Sequence, residues 1–131
     1  MSYPSLEDKI GQLFLVGFSG DALSSDHPIL EDITEGNLGG VILFDQLLAM
    51  RRGTNNIISS KQLTELTTSL QDAAEGSLLI AVDQEGGYVN RFKENRGFPT
   101  TLSAEVLGKN DDLQLTIDSA RQTAEMLRST G

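Results

Sequence analysis

The sequence predicts an α/β fold built on a parallel sheet. Three short aliphatic runs carry that expectation: QLFLVGF (Gln12–Phe18), GGVILF (Gly39–Phe44) and SLLIAVD (Ser77–Asp83). Each is continuous rather than alternating, the pattern of strands covered on both faces. Helical periodicities separate them, so the order reads helix, then strand–helix three times. Strands alternating with helices imply βαβ units.

The elements can be justified in chain order. Ser5 is a helix N-cap with Asp8 three residues on, and Leu6 and Ile10 share a face. After the first strand, a helix is expected over Pro28 to Glu35. Asp26 or His27 caps it, proline fits its first turn, and Gly36 stops it. The next is the clearest: Ser59 and Gln62 spell a capping box, Leu63, Leu66, Leu70 and Ala73 form one stripe, and Gly76 ends it. The last helix begins near Asn110, with Leu113, Ile117, Ala120, Ala124 and Leu127 on one face. Asp111 and Asp112 mark its start, where acidic residues suit the helix dipole. Two irregular stretches remain, Asp45–Ser59 and Lys93–Gly108. Both leave the C-terminal ends of strands, where α/β proteins build their sites. Phe98-Pro99 is expected to pack inward and shape the second loop.

Composition narrows the function. The chain has 131 residues, enough for one domain, with a formal net charge of −9. That charge argues against a nucleic-acid partner or an anionic membrane surface. Arg51-Arg52 is the nearest approach to a basic patch and reads as solvated. There is no cysteine and one histidine, His27, so thiolate chemistry, a cysteine zinc site and a histidine-rich metal site are excluded. His27 reads as a surface residue without a catalytic role. No cofactor is expected. No apolar stretch is long enough to span a membrane, and the N-terminus lacks the basic and apolar regions of a signal peptide, so a cytoplasmic location is expected.

The chemistry concentrates in LLIAVDQEGGYVNRF, Leu78–Phe92. Asp83 falls at the tip of the third strand, where a carboxylate can accept from neighbouring sugar hydroxyls. Gly86 and Gly87 permit a tight turn. Arg91 can return across that turn to donate to a hydroxyl or to pair with Asp83. A purely structural reading stands beside this one: Asp83 caps the turn, Glu85 is solvated and Arg91 neutralises Asp83. Asp45, at the end of the second strand, reads as a turn residue more readily than as a ligand contact.

The stretch IAVDQEGGYVNRF resembles the signature (I/V)AVDQEGGRVxR(L/F) of the family 3 glycoside hydrolases, in their β-N-acetylhexosaminidase branch. KIGQLFLVGF, GGVILFD, QLTELTTSLQ and FPTTLSAEVLG are similar to segments of that family in the same order. The resemblance implies a TIM-type (β/α)8 barrel and retaining hydrolysis of terminal β-linked N-acetylglucosamine. It implies that Asp83 and Arg91 bind the sugar. Tyr88 stands where the family usually has arginine, which leaves substrate preference open. The family's KHFPGHG segment, its acid/base pair and its nucleophilic aspartate have no counterpart in this sequence.

Such a barrel takes about 250 residues. Residues 1–131 are therefore expected to be the N-terminal fragment of a family 3 catalytic barrel, with three to four βα units, holding sugar-binding residues and inactive alone. Lumen-facing aliphatic side chains would lack partners, a loss on the order of 10 kcal/mol. Either self-association through the sheet or covering of the inner face by one of the chain's own helices is expected. Two other functions stand beside this one. A non-catalytic sugar-binding α/β module would keep Asp83 and Arg91. A flavodoxin-like or receiver domain fits poorly, because the acidic pair and lysine of receivers and a glycine-rich phosphate loop are absent.

Overall fold

The computed structural model describes residues 4–47, 52–75 and 78–131. Its centre is a three-stranded parallel sheet in the order β1 (Leu15–Gly17), β2 (Gly40–Leu43), β5 (Leu79–Val82). In register, Leu15, Gly40 and Leu79 lie side by side, and so do Gly17, Ile42 and Ala81. Two small antiparallel hairpins rise from the strand ends: β3 (Gln46–Leu47) with β4 (Arg52–Thr54), and β6 (Gln84–Gly86) with β7 (Val89–Asn90). The helices are α1 (Leu6–Gly11), α2 (Pro28–Thr34), α3 (Ser60–Ala73), α4 (Ala104–Asn110) and α5 (Leu113–Ser129), with a 3-10 turn at Glu94–Arg96. None of the described helices is long and apolar enough to cross a membrane.

The two faces of the sheet differ. Side chains alternate along a strand. Val41 and Leu43 of β2 are buried in one core with Ile29 and Ile33 of α2 and Leu63, Leu66 and Leu70 of α3. Burying each such side chain stabilises the fold by roughly 1.5–3 kcal/mol. The alternate residues face the other way, and there Leu79 is 63% exposed and Leu15 43%. Gly40 sits between these two leucines; a Cβ on it would come within 2.6 Å of the Leu15 side chain. The expectation that one of the chain's own helices covers the inner face is therefore not met. The outer edges of β1 and β5 also have no strand partner among the described residues.

The helix starts obey local chemistry. Ser5 and Asp8 close the capping box of α1 in both directions. His27, not Asp26, caps α2: its Nδ1 accepts from the Ile29 amide at 3.2 Å. Its Nε2 must then donate to the Ser19 carbonyl, 2.9 Å away. The single histidine is thus a structural clamp between the β1 loop and α2. Ser59 caps α3 through the Gln62 amide, but the reciprocal half of the expected box is absent. The Gln62 side chain instead takes the Ile58 amide and donates to the carbonyls of Asn56 and Asp21.

Several expectations shift. Leu13 and Phe14 lie outside β1 and are exposed, because the chain is still turning after α1: their amides bond the carbonyls of Ile10 and Gly11. The Lys93–Gly108 stretch contains a helix, α4, capped by Ser103. Because α4 runs to Asn110, the last helix starts later, at Leu113. Asp111 ends α4 in a left-handed conformation (φ 49°), and Asp112 caps α5 through the amides of Gln114 and Leu115. The expected α5 stripe is not buried: Leu113, Ile117, Ala120, Ala124 and Leu127 are exposed, and Met126 is the buried apolar residue. Phe98 packs inward, its ring tilted 48° against that of Phe92 with centroids 4.7 Å apart, while Pro99 stays exposed. Arg51, the Arg52 side chain, Gly76 and Ser77 lie outside the described residues.

Candidate functional site

Parallel strands put their C-terminal ends at one edge of the sheet, and three loops converge there. Phe18 follows β1, Phe44 and Asp45 follow β2, and Asp83 follows β5. Two adjacent asparagines bind the first two loops together. Asn56 Oδ1 accepts from the Phe44 amide at 3.0 Å, and its Nδ2 donates to the carbonyls of Phe18 and Gly20. Asn55 Nδ2 also donates to the Phe18 carbonyl, and its Oδ1 accepts from the Gly20 amide. Both asparagines are buried, so every one of these bonds satisfies a group that water cannot reach.

The third loop is the β6–β7 hairpin. Gly86 and Gly87 turn it with φ of 76° and 63°. Gly86 admits no side chain, since a Cβ would stand 2.4 Å from the Leu102 carbonyl oxygen. Gln84 locks the hairpin from within. Its Oε1 accepts from the amides of Arg91 and Phe92, and its Nε2 donates to Asn90 and Thr101. Tyr88, at the tip, is fully exposed.

Asp83 and Arg91 come together as the spacing suggested. Arg91 Nη2 lies 3.7 Å from Asp83 Oδ2, a loose pairing that leaves the Asp83 side chain 47% exposed. The guanidinium also lies over the Phe44 ring, 5.5 Å from its centroid. Its Nη1 donates to Asp45 Oδ1 at 3.3 Å.

Asp45 differs from its sequence reading as a turn residue. It is buried, at 1% exposure, and three cations surround it. Lys93 Nζ lies 2.6 Å from its Oδ2, and Arg96 Nη1 lies 3.8 Å from the same oxygen. The contact at Oδ2 is ionic, without a well-angled hydrogen bond. Arg96 also donates to the carbonyls of Asp45 and Ile57. Asn55, Asn56, Gln84, Lys93 and Arg96 were all missed as site-building residues. The available signal was weak: polar side chains inside loops that leave strand ends. Glu85 is exposed and His27 lies outside this cluster. Among the described residues no group of acids and histidines could hold a metal ion.

Residues 5–131 match the model of the glycosyl hydrolase family 3 N terminal domain. The chain belongs to that family. A family 3 β-N-acetylglucosaminidase from Paenibacillus sp. str. FPU-7 superposes with a TM-score of 0.82 at 32% identity, covering 98% of this chain and 23% of that protein. NagZ from Neisseria gonorrhoeae, solved with N-trifluoroacetyl-D-glucosamine, superposes with a TM-score of 0.57 at 29% identity over 72% of this chain and 24% of its own. Among curated relatives, a β-hexosaminidase of Xylella fastidiosa (strain M23) is 32% identical over 91% of this chain and 33% of its own length. One from Nitrosomonas eutropha is 38% identical over 82% of this chain and 26% of its own. The chain thus spans a third or less of each of these family 3 proteins. Its parallel sheet is the first part of the family's (β/α)8 barrel, here not closed.

Proposed function

We propose that this chain is the sugar-gripping part of a glycoside hydrolase that releases terminal β-linked N-acetylglucosamine with retention. Asp83 accepts from the ring hydroxyls of the sugar, and Arg91 donates to the same ring from across the hairpin. The observation that carries this reading is the Asp83–Arg91 pair at the strand-end rim: two opposite charges held near each other, loosely paired, with the carboxylate open to solvent. A carboxylate and a guanidinium at that spacing match adjacent hydroxyls on one sugar face. The names of the family 3 relatives supply the substrate class.

Neither Asp83 nor Asp45 serves as nucleophile or acid/base in this reading. Retaining hydrolysis requires two carboxyl groups about 5 Å apart across the scissile bond. Asp45 is buried beneath three cations and out of reach of a glycosidic oxygen. Asp83 is committed to binding. The bond-cleaving groups would come from barrel units that the longer relatives possess. A chromogenic N-acetylglucosaminide tests this. The chain alone should release no chromophore, and a version continued through the remaining barrel units should. Turnover by the chain alone would overturn the assignment of Asp83 as a binder only.

A further inference from the structure

We infer that Asp45 is the positioning residue for Arg91, fixing one edge of its guanidinium so that the other is presented beside Asp83. The inference rests on the reading of Asp83 and Arg91 as sugar-gripping residues, and deepens it.

The geometry argues in three steps. Arg91 sits on β7's outgoing segment, whose own hydrogen bonds fix only its backbone amide, through Gln84. Its side-chain direction is set elsewhere. Asp45, from the end of a different strand, takes Nη1 at 3.3 Å, and Phe44 supports the guanidinium plane. Nη2 is left facing Asp83. Arg91 Nε is buried and donates to nothing among the described residues. The guanidinium is therefore oriented by its Nη1 bond to the buried Asp45 and by one ring, with Nη2 only loosely paired to the exposed Asp83. Removing the Asp45 charge leaves that loose pair as its one ionic contact among the described residues and frees it to turn.

Asp45 is itself immobile. Its backbone carbonyl accepts from Arg96 and from the Asn55 amide. Its carboxylate is buried with Lys93 and Arg96 on the side away from its Oδ1 contact with Arg91. A simple glue role, joining the two loops by charge, predicts a stability loss on substitution and nothing more. A positioning role predicts in addition that Arg91 loses its fixed orientation while the fold persists. Misplacing a positioned group by about 1 Å can cost on the order of a hundredfold in function.

Nuclear magnetic resonance of the arginine side chains decides between these. In the wild-type chain, Arg91 should show separate Nη resonances, the mark of a guanidinium that does not rotate freely. Asp45→Asn should merge them while the methyl spectrum of the Leu63, Leu66 and Leu70 core stays in place. Freely rotating Arg91 in the wild type, or unchanged resonances in Asp45→Asn, would overturn the proposal; the wild-type spectrum decides even where the variant does not fold. Titration with N-acetylglucosamine adds a second readout. Affinity should fall at least about tenfold in a folded Asp45→Asn. Undiminished affinity there, with binding lost in Asp83→Ala, would refute Asp45 alone. No binding by the wild type would instead refute the sugar-gripping reading, and the Arg91 resonances would still judge Asp45.

Discussion

Arg91 reaches from one loop to Asp45 on another, Nη1 to Oδ1 at 3.3 Å, and so joins the ends of β2 and β5 in front of the sheet. The two residues are far apart in sequence. Their meeting is a product of the parallel topology, which delivers successive strand ends to one rim. Loops joined this way act as one platform.

The asparagine pair underlies that platform, and Asn56 should be its most sensitive point. Its side chain serves the Phe44 amide and the carbonyls of Phe18 and Gly20. Asn56→Ala leaves the Phe44 amide and the Gly20 carbonyl without these partners, while Asn55 still serves the Phe18 carbonyl. It should cost about 2–4 kcal/mol, at roughly 1–3 kcal/mol for each unsatisfied group less what relaxation recovers. Chemical denaturation measures this. A loss under about 1 kcal/mol would show that water replaces the side chain.

Gly86 should tolerate no substitution. Its φ of 76° is costly for any L side chain, and a Cβ would meet the Leu102 carbonyl at 2.4 Å. Gly86→Ala is expected to destabilise by about 2–3 kcal/mol, combining left-handed strain with displacement of the hairpin. Thermal unfolding checks the size. Gly97, also at positive φ (84°) but with nothing within 4 Å of where its Cβ would stand, is the control for strain without a clash.

The inner sheet face predicts association of the chain as it stands. Leu15 and Leu79 are exposed there, and β1 and β5 end in unpaired edges. Light scattering after size-exclusion chromatography should give a mass that rises with concentration. Leu79→Lys, which puts a charge on that face, should lower it toward 14.2 kDa. A monomer at all concentrations, with hydrogen-exchange protection in all three strands, would contradict this.

The parallel strands and the core side of the sheet were legible because each rests on a local code. The continuous run at Gly39–Phe44 points to the buried β2, and the Leu63–Leu66–Leu70 spacing fixes the face of α3. The runs at Gln12–Phe18 and Ser77–Asp83 also hold strands, but these are not covered on both faces, since Leu15 and Leu79 are exposed. The caps at Ser5 and Ser59 are equally local. The Asp83–Arg91 pair was legible because a single hairpin brings the two together. Asp45 was not, since its partners Lys93 and Arg96 lie in another loop and nothing near Asp45 in sequence announces them. The α5 stripe failed for a different reason. Periodicity names the apolar face of a helix but not whether anything lies against it. Here that face overlooks a hollow of about 370 Å³ shared with Gln84, Leu102 and Leu107. The helix α4 was hidden by its length, seven residues with a glycine inside, too short for a periodic signal.

The most direct test of the central claim is a titration of isotope-labelled chain with N-acetylglucosamine, followed at the Asp83 amide and the Arg91 side chain. The account predicts saturable shifts at both, absent in Asp83→Ala although that variant, altered at a half-exposed position, keeps its fold. Saturable shifts that persist unchanged in Asp83→Ala, or none at either residue in the wild type, would contradict it.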